Sequence, residues 1–409
     1  MVRYTLSIPT HMQAAIQLPA SKSISNRALI INALARSAQA PSHLSDCDDT
    51  RVMVYALEHL GDVIDIGAAG TSMRFLTAYL SVTQGTHTIT GSERMQQRPI
   101  QVLVDALRVL GADISYKKKE GYPPLLIRGS SLKGGNVSLR GNVSSQYISA
   151  LLMIGPVLPE GLSLQLTGDI ISRPYIELTL QLMRDFGARA EWISGQEIRV
   201  WAQPYRGRAF RVESDWSAAS YWYQLAALAE KATFDLNGLF TNSYQGDSRG
   251  TEVFSKLGIE TVFTEKGVSI HKKGTPVTCL EEDFMDIPDL AQTFVVTCAL
   301  LGVHFRFTGL QTLRIKETDR IHALVTEMRK LGYVLKDEND SVLMWDGERC
   351  EPEADPLIST YEDHRMAMAF APAALKFPRM SIADPQVVTK SYPGYWADLK
   401  KAGVRIDTL

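Results

Sequence analysis

Three stretches of the 409-residue chain put small or hydroxyl residues at what read as helix starts, with cations beside them. They are SKSISNR, with Lys22 and Arg27; GAAGTSMR, with Arg74 and, further on, Arg98; and NVSSQ, ending at Gln146. A helix N-terminus offers unpaired N–H groups and about half a positive charge. Residues without bulk let an anion reach that backbone. Ser and Thr are also ordinary N-caps, so one such start means little. Several, each with basic companions, point to phosphate or carboxylate ligands. Two acids belong beside them: Asp289 in IPDLA, near the start of an apolar helix, and Glu317 in KETDR, between Lys316 and Arg320. Taken singly, each acid suits a cap or an ion pair better than a catalytic group.

Other chemistries lack their residues. There is no GxxxxGK[ST], no GxGxxG and no HExxH, which removes the commonest ATP, dinucleotide and metalloprotease readings. Cys47, Cys279, Cys298 and Cys350 form no CxxC or Cys/His cluster, so no zinc site is expected, and scattered thiols suit a reducing cytosol. With 43 Lys plus Arg against 45 Asp plus Glu, net charge is −2, which gives no support to a nucleic-acid binder. The opening MVRYTLSIPTHMQ has no apolar leader, and the longest apolar stretch, 294–307, is too short to span a bilayer.

The positioning elements repeat. An amphipathic helix ending in glycine recurs six times, closing at Gly61, Gly111, Gly187, Gly258, Gly332 and Gly403. Ile321, Leu324, Val325, Met328 and Leu331 make one such stripe. Each closing glycine suits a left-handed cap. A second helix type, small or hydroxyl at its start and then apolar nearly all round, precedes each copy and reads as buried. Short β-like runs such as LSLQLTG and FRFTG lie between. The chain is therefore expected to be α/β: two similar domains of three units each, about 68 residues per unit. Too few residues separate Gly61 from Gly67 for a hairpin, so the first unit is expected to be short.

In order along the chain, LPASKSISNRALI, GAAGTSMR, SERMQQRPI, VSSQY, ISRPYIEL, IPDLA, RIKETDR, YEDHRMAMA and TKSYPGYW resemble the 5-enolpyruvylshikimate-3-phosphate synthase family. The resemblance implies two domains of three βαβαββ-type units around buried helices, an inside-out α/β barrel. It places 21–213 in one domain and 1–20 with 214–409 in the other, with the site in the cleft between them and domain closure over the ligands. It implies transfer of the enolpyruvyl group of phosphoenolpyruvate to the 5-hydroxyl of shikimate 3-phosphate, by addition and elimination, in the cytoplasm. No cofactor, metal, nucleic acid or membrane is implied, and a monomer is expected.

The resemblance also assigns residues. Lys22, Ser23, Arg27, Ser144, Ser145, Gln146, Ser172, Tyr175, Asp289 and Lys316 match shikimate 3-phosphate contacts. Lys22, Gly70, Thr71, Arg74, Arg98, Gln146, Arg320, Arg365 and Lys390 match the phosphoenolpyruvate side. Asp289 is the candidate base at the hydroxyl and Glu317 the candidate proton exchanger at C3, with Lys22 and Lys390 as further proton carriers. Ala68 stands where the family commonly has Asn, so a phosphoenolpyruvate-side amide contact is expected to be lost or replaced; Phe75 stands where many members have Pro or a smaller residue, so a slight shift of the helix start is expected; Trp216 is also unusual. Gly70 leaves room for glyphosate. The sister transferase acting on UDP-N-acetylglucosamine usually carries a loop Cys, and 85–99 has none. An RNA-end-processing scaffold would need a basic face.

Overall fold

A helix that is apolar on every side is stable in water only when surrounded, and six of the helices meet that condition. The computed structural model describes residues 2–409. The chain forms two units: one runs from Ala20 to Val212, and the other joins the segment ending at Pro19 to Glu213–Leu409.

In the Ala20–Val212 unit the helices Lys22–Leu34, Gly70–Ser81 and Ser145–Ile154 pack on one another. The stretches Ile24–Ile31 and Tyr147–Ile154 are buried throughout. Outside them lie the amphipathic helices Asp48–Glu58, Gln101–Val109 and Arg173–Asp185. Helix Gln101–Val109 buries Leu103, Val104, Ala106 and Leu107 and leaves its other face to water. Two four-stranded sheets complete the unit, and both follow one plan. Two parallel strands flank the buried helix in sequence, and two antiparallel strands follow. In one sheet Val63–Asp65 pairs parallel with Gly85–Thr90, then antiparallel come Leu125–Gly129 and Asp113–Tyr116. In the other the order is Gly135–Arg140, Leu162–Thr167, Glu197–Val200 and Ala190–Trp192.

The first repeat keeps its two helices but has no sheet. Its parallel pair survives as a single bridge, Ser42 to Arg211, and the antiparallel hairpin is missing. This also explains a departure from expectation at Gly61. Gly111, Gly187, Gly258, Gly332 and Gly403 take positive φ, between 83 and 101°. Gly61 does not, because no hairpin follows that must turn back sharply; the helix simply ends at His59, whose N–H donates to Tyr55 O.

The second unit has three complete repeats. Its buried helices are Trp216–Leu228, Ala291–Leu301 and His364–Phe370, and its outer helices are Gly250–Lys256, Arg320–Lys330 and Tyr395–Lys401. Phe294 packs against Phe254 at 4.3 Å and Phe284 at 5.5 Å between ring centroids. The three sheets follow the same plan, with two slots filled by the first strands of the chain. Arg3–Ser7 lies between Ser381–Ala383 and Arg405–Thr408, and His11–Gln17 pairs parallel with Lys231–Asn237. The third sheet is Cys279–Asp283, His304–Thr308, Val342–Trp345 and Lys336–Glu338. All four thiols are free, and no helix among the described residues is long and apolar enough to cross a membrane.

Candidate active site

The predicted residues fall into one set in each unit. In Ala20–Val212, the starts of the three buried helices carry most of them. Ser21 caps the first helix, its Oγ accepting from Ile24 N–H at 3.3 Å, and Lys22 and Ser23 follow at half-buried positions. Lys22 Nζ lies 3.3 Å from Asp49, a nearly buried carboxylate on the neighbouring outer helix. Ser144 caps the third helix through Gln146 N–H, and the Gln146 amide donates to Thr71 Oγ1 at 3.1 Å. Thr71 sits in the first turn of the second helix, so that bond ties two helix starts together.

Arg27 turns inward. Its donors reach Thr179 Oγ1 at 2.7 Å, Ser149 Oγ at 3.1 Å and Ser23 O at 3.0 Å, and its guanidinium lies over the Phe75 ring. Among the described residues no ion pair reaches it. Burial, opposed by Tyr175, pulls its pKa down to about 10. Phe75 is fully buried under it, in the helix that begins at Gly70. Ala68 is exposed just before that start.

Arg74 and Arg98 shape the next part. Arg74 is buried and donates to Gly70 O and Pro99 O, which holds the segment carrying Arg98 against the helix start. Space at Gly70 is set by Arg98: a Cβ there would lie 2.6 Å from Arg98 Nη1, so any side chain would displace that guanidinium. Arg98 Nε is buried without a hydrogen-bond partner among the described residues. Ser172, at φ 56° and ψ 37°, holds a left-handed conformation rare for a side-chain-bearing residue, and Tyr175 N–H donates to its carbonyl.

In the other unit the charges converge on Asp289. Its carboxylate lies 2.8 Å from Arg365, 3.2 Å from Arg320 and 3.4 Å from Lys316. Burial alone would raise this carboxyl. Arg365, Lys316 and Arg320 outweigh it and hold the group well below the usual carboxylate range. Arg320 also binds Glu317 at 2.9 Å and Asp363 at 2.7 Å, and Lys390 lies 3.7 Å from Glu317. Lys316 and Glu317 precede the helix rather than opening it: the helix starts at Arg320, capped by Asp319, which accepts from His322 N–H.

Asp363 was not singled out from the sequence, although it stands inside YEDHRMAMA. It is fully buried, caps helix His364–Phe370 through Arg365 N–H at 2.9 Å, and grips Arg320. One carboxylate therefore holds the Arg320 guanidinium and the backbone at Arg365. The signal available was an acid immediately before a buried apolar run, the mark of an N-cap. Asp49 and Asp247 were also missed. Asp247 accepts from Ser217 Oγ and is pushed up to about 7, by burial first and then by Asp289. GDSRG at 246–250 has the spacing of a hydrolase nucleophile corner. It forms a single-turn helix at Gly246–Arg249 instead, and Ser248 Oγ donates to Gln245 O.

The family model for EPSP synthase (3-phosphoshikimate 1-carboxyvinyltransferase) matches residues 6–66 and 61–399. The chain belongs to the EPSP synthase family. A curated 3-phosphoshikimate 1-carboxyvinyltransferase from Bacteroides fragilis is 68% identical over 405 residues, covering 99% of both chains. One of the same name from Histophilus somni is 35% identical over 98% of this chain and 99% of its own. A solved EPSP synthase structure from Acinetobacter baumannii superposes with a TM-score of 0.80, covering 100% of each chain at 22% identity, which supports the fold alone.

Proposed function

We propose a division of labour among these residues for the family's reaction, enolpyruvyl transfer from phosphoenolpyruvate to shikimate 3-phosphate, which this enzyme of the shikimate pathway carries out. In this reading Ser23, Ser144, Ser145, Gln146, Ser172 and Tyr175 hold shikimate 3-phosphate, with Lys22. Hydroxyls and helix N–H groups donate to a phosphate without excess charge. Arg27, buried with neutral partners, supplies positive potential beneath that seat. Lys22, Gly70, Thr71, Arg74, Arg98 and Gln146 from Ala20–Val212, with Arg320, Arg365 and Lys390 from the other unit, serve phosphoenolpyruvate.

The observation that carries the chemistry is the Asp289 carboxylate held by three cations. It offsets part of their charge. Substrate carboxylate and phosphate groups are competing anions for the same donors. As they take Arg365 and Arg320, the attraction holding the Asp289 proton affinity down weakens, and Asp289 becomes a better base. Lys316 joins Asp289 at the shikimate side. The 5-hydroxyl then loses its proton to Asp289 and adds to C2 of phosphoenolpyruvate, while C3 gains a proton that Lys390, 3.7 Å from Glu317, passes on through that carboxyl group. The tetrahedral intermediate collapses when the C2–O bond to phosphate breaks: the C3 proton returns to Glu317, and the proton that Asp289 took from the hydroxyl passes, by way of the lysines, to the leaving phosphate. Lys22 and Lys390 steady the leaving phosphate and relay protons.

Asp289→Ala and Glu317→Gln are each expected to lower kcat strongly, by about 10²–10⁴-fold as for loss of a general acid or base, with modest change in KM. Near-normal turnover in both would refute these roles. Phosphate release from phosphoenolpyruvate with shikimate 3-phosphate, against UDP-N-acetylglucosamine as acceptor, tests the acceptor. We propose a monomer acting in the cytoplasm on these two small molecules, without cofactor or nucleic acid. Glyphosate is proposed to compete at the phosphoenolpyruvate seat; an inhibition titration flat at millimolar concentration would reject that.

A further inference from the structure

The outer helix Arg320–Lys330 contains a carboxylate on its buried side. Glu327 lies beside Ala323, Leu324 and Met328 and its side chain has no exposed surface. An isolated carboxylate there would be strongly unfavourable, so its partners must matter. There are three. Lys330 Nζ lies 2.7 Å from Oε2, Ser359 N–H donates to Oε2 at 3.1 Å, and the Tyr361 hydroxyl donates to Oε1 at 2.6 Å. Lys330 also donates to Leu357 O at 2.8 Å. The last turn of the helix thus grips the segment 357–361 at three points.

That segment has an unusual backbone. Tyr361 and Glu362 are consecutive residues at φ 53° and 56°, both left-handed and neither glycine. Such a conformation persists only where surrounding contacts impose it. Here it turns the chain so that Asp363, whose N–H donates to Thr360 O, enters the interior. Asp363 then meets Arg320, the first residue of the same helix. The helix therefore holds 357–363 at both ends: Glu327 and Lys330 at one, Arg320 at the other. Burial and then the Glu327 carboxylate push the Tyr361 phenol up, which keeps it a donor.

We infer that Glu327 and Tyr361 are positioning residues for phosphoenolpyruvate, acting through the left-handed pair Tyr361–Glu362 to set Asp363 and, with it, Arg320 and Arg365. The inference rests on the assignment of those arginines to phosphoenolpyruvate. Glu327 and Tyr361 bond to each other, and Glu327 also to Lys330 and Ser359, so the defect expected from losing them lies in anion binding rather than proton transfer.

The test is steady-state kinetics for each substrate, with thermal melting alongside, on Tyr361→Phe, Glu327→Gln and the double variant Glu327→Gln with Glu362→Gly. Tyr361→Phe removes one hydroxyl and should leave the fold intact. KM for phosphoenolpyruvate should rise about tenfold in each single variant, the size of effect that small misplacements of binding groups produce. KM for shikimate 3-phosphate should move far less. Glycine adopts the left-handed conformation freely, so Glu362→Gly should recover much of the loss in the Glu327→Gln background. A merely structural role would lower the melting temperature and the active fraction without separating the two KM values, and glycine would not restore one of them. Unchanged phosphoenolpyruvate KM, equal shifts in both KM values, or no recovery by glycine would each overturn the inference. Arg365→Lys in the same assay separates the failures. If it leaves phosphoenolpyruvate KM unchanged, the arginine assignment itself is wrong; if it raises KM while Tyr361→Phe does not, only the brace is.

Discussion

Replacing Gly70 by Ala adds one methyl group where folding and ligand binding make opposite demands. Gly70 opens the buried helix Gly70–Ser81 without a positive φ, so the backbone accepts Ala. Gly→Ala at a compatible position stabilises by about 0.4–1 kcal/mol through the unfolded chain. The new Cβ, however, would sit 2.6 Å from Arg98 Nη1 and 3.2 Å from Cζ and Nη2. Of the two groups, the guanidinium is the mobile one, because Arg74 and the helix hold the backbone on both sides. It must withdraw by roughly an ångström to regain normal contact. A charge-assisted hydrogen bond to substrate is worth about 1.5–3 kcal/mol. Losing one from Arg98 corresponds to a rise of about 10- to 150-fold in KM for phosphoenolpyruvate. The assay is phosphate release at varied phosphoenolpyruvate with saturating shikimate 3-phosphate, together with a melting curve. The melting temperature should hold or rise while phosphoenolpyruvate KM climbs. A KM within about twofold of the parent would refute the argument that Arg98 needs that space to bind anion, since twofold is under half a kcal/mol. A clear fall in melting temperature would refute the claim that the backbone tolerates Ala.

Asp363→Asn removes the carboxylate that both caps His364–Phe370 and pairs with buried Arg320; breaking a buried pair costs about 3–5 kcal/mol, and the low end is expected because Glu317 and Asp289 still face Arg320. Denaturant unfolding measures that loss, and phosphoenolpyruvate KM should rise with it. Asp247 and Glu213 are each pushed up to about 7, primarily by burial, so the folded state retains protons that the unfolded chain gives up. Their penalty is absent below the unfolded carboxyl range, grows as pH rises through it, and is complete above about 7. Asp247→Asn and Glu213→Gln should therefore raise the melting temperature at pH 8 relative to the parent and have little effect near pH 4; an equal effect at both pH values would reject the assignment.

The six helix pairs were legible in the sequence because periodicity is a local property. Ile321, Leu324 and Met328 mark one face of a helix whatever lies opposite. The missing hairpin was legible too, because too few residues lie between Gly61 and Gly67 to form one. Asp289, Glu317, Arg320 and Arg365 could be picked out by residue type and order along the chain. What the sequence could not say was where their charges go. That Asp289 is gripped by three cations, and that Asp363 links Arg320 to a helix cap, depends on residues 27 to 76 positions apart meeting in space. The inward turn of Arg27 toward Thr179, 152 residues away, is of the same kind. Glu327 is the sharpest case. On the sequence it is one more polar residue on an amphipathic helix, yet its carboxylate ends up fully enclosed. Local patterning determines which elements form and which face each one buries. It does not determine which distant polar groups satisfy one another inside, because hydrogen bonds and ion pairs depend on separations of a few ångströms that only the packed tertiary structure sets.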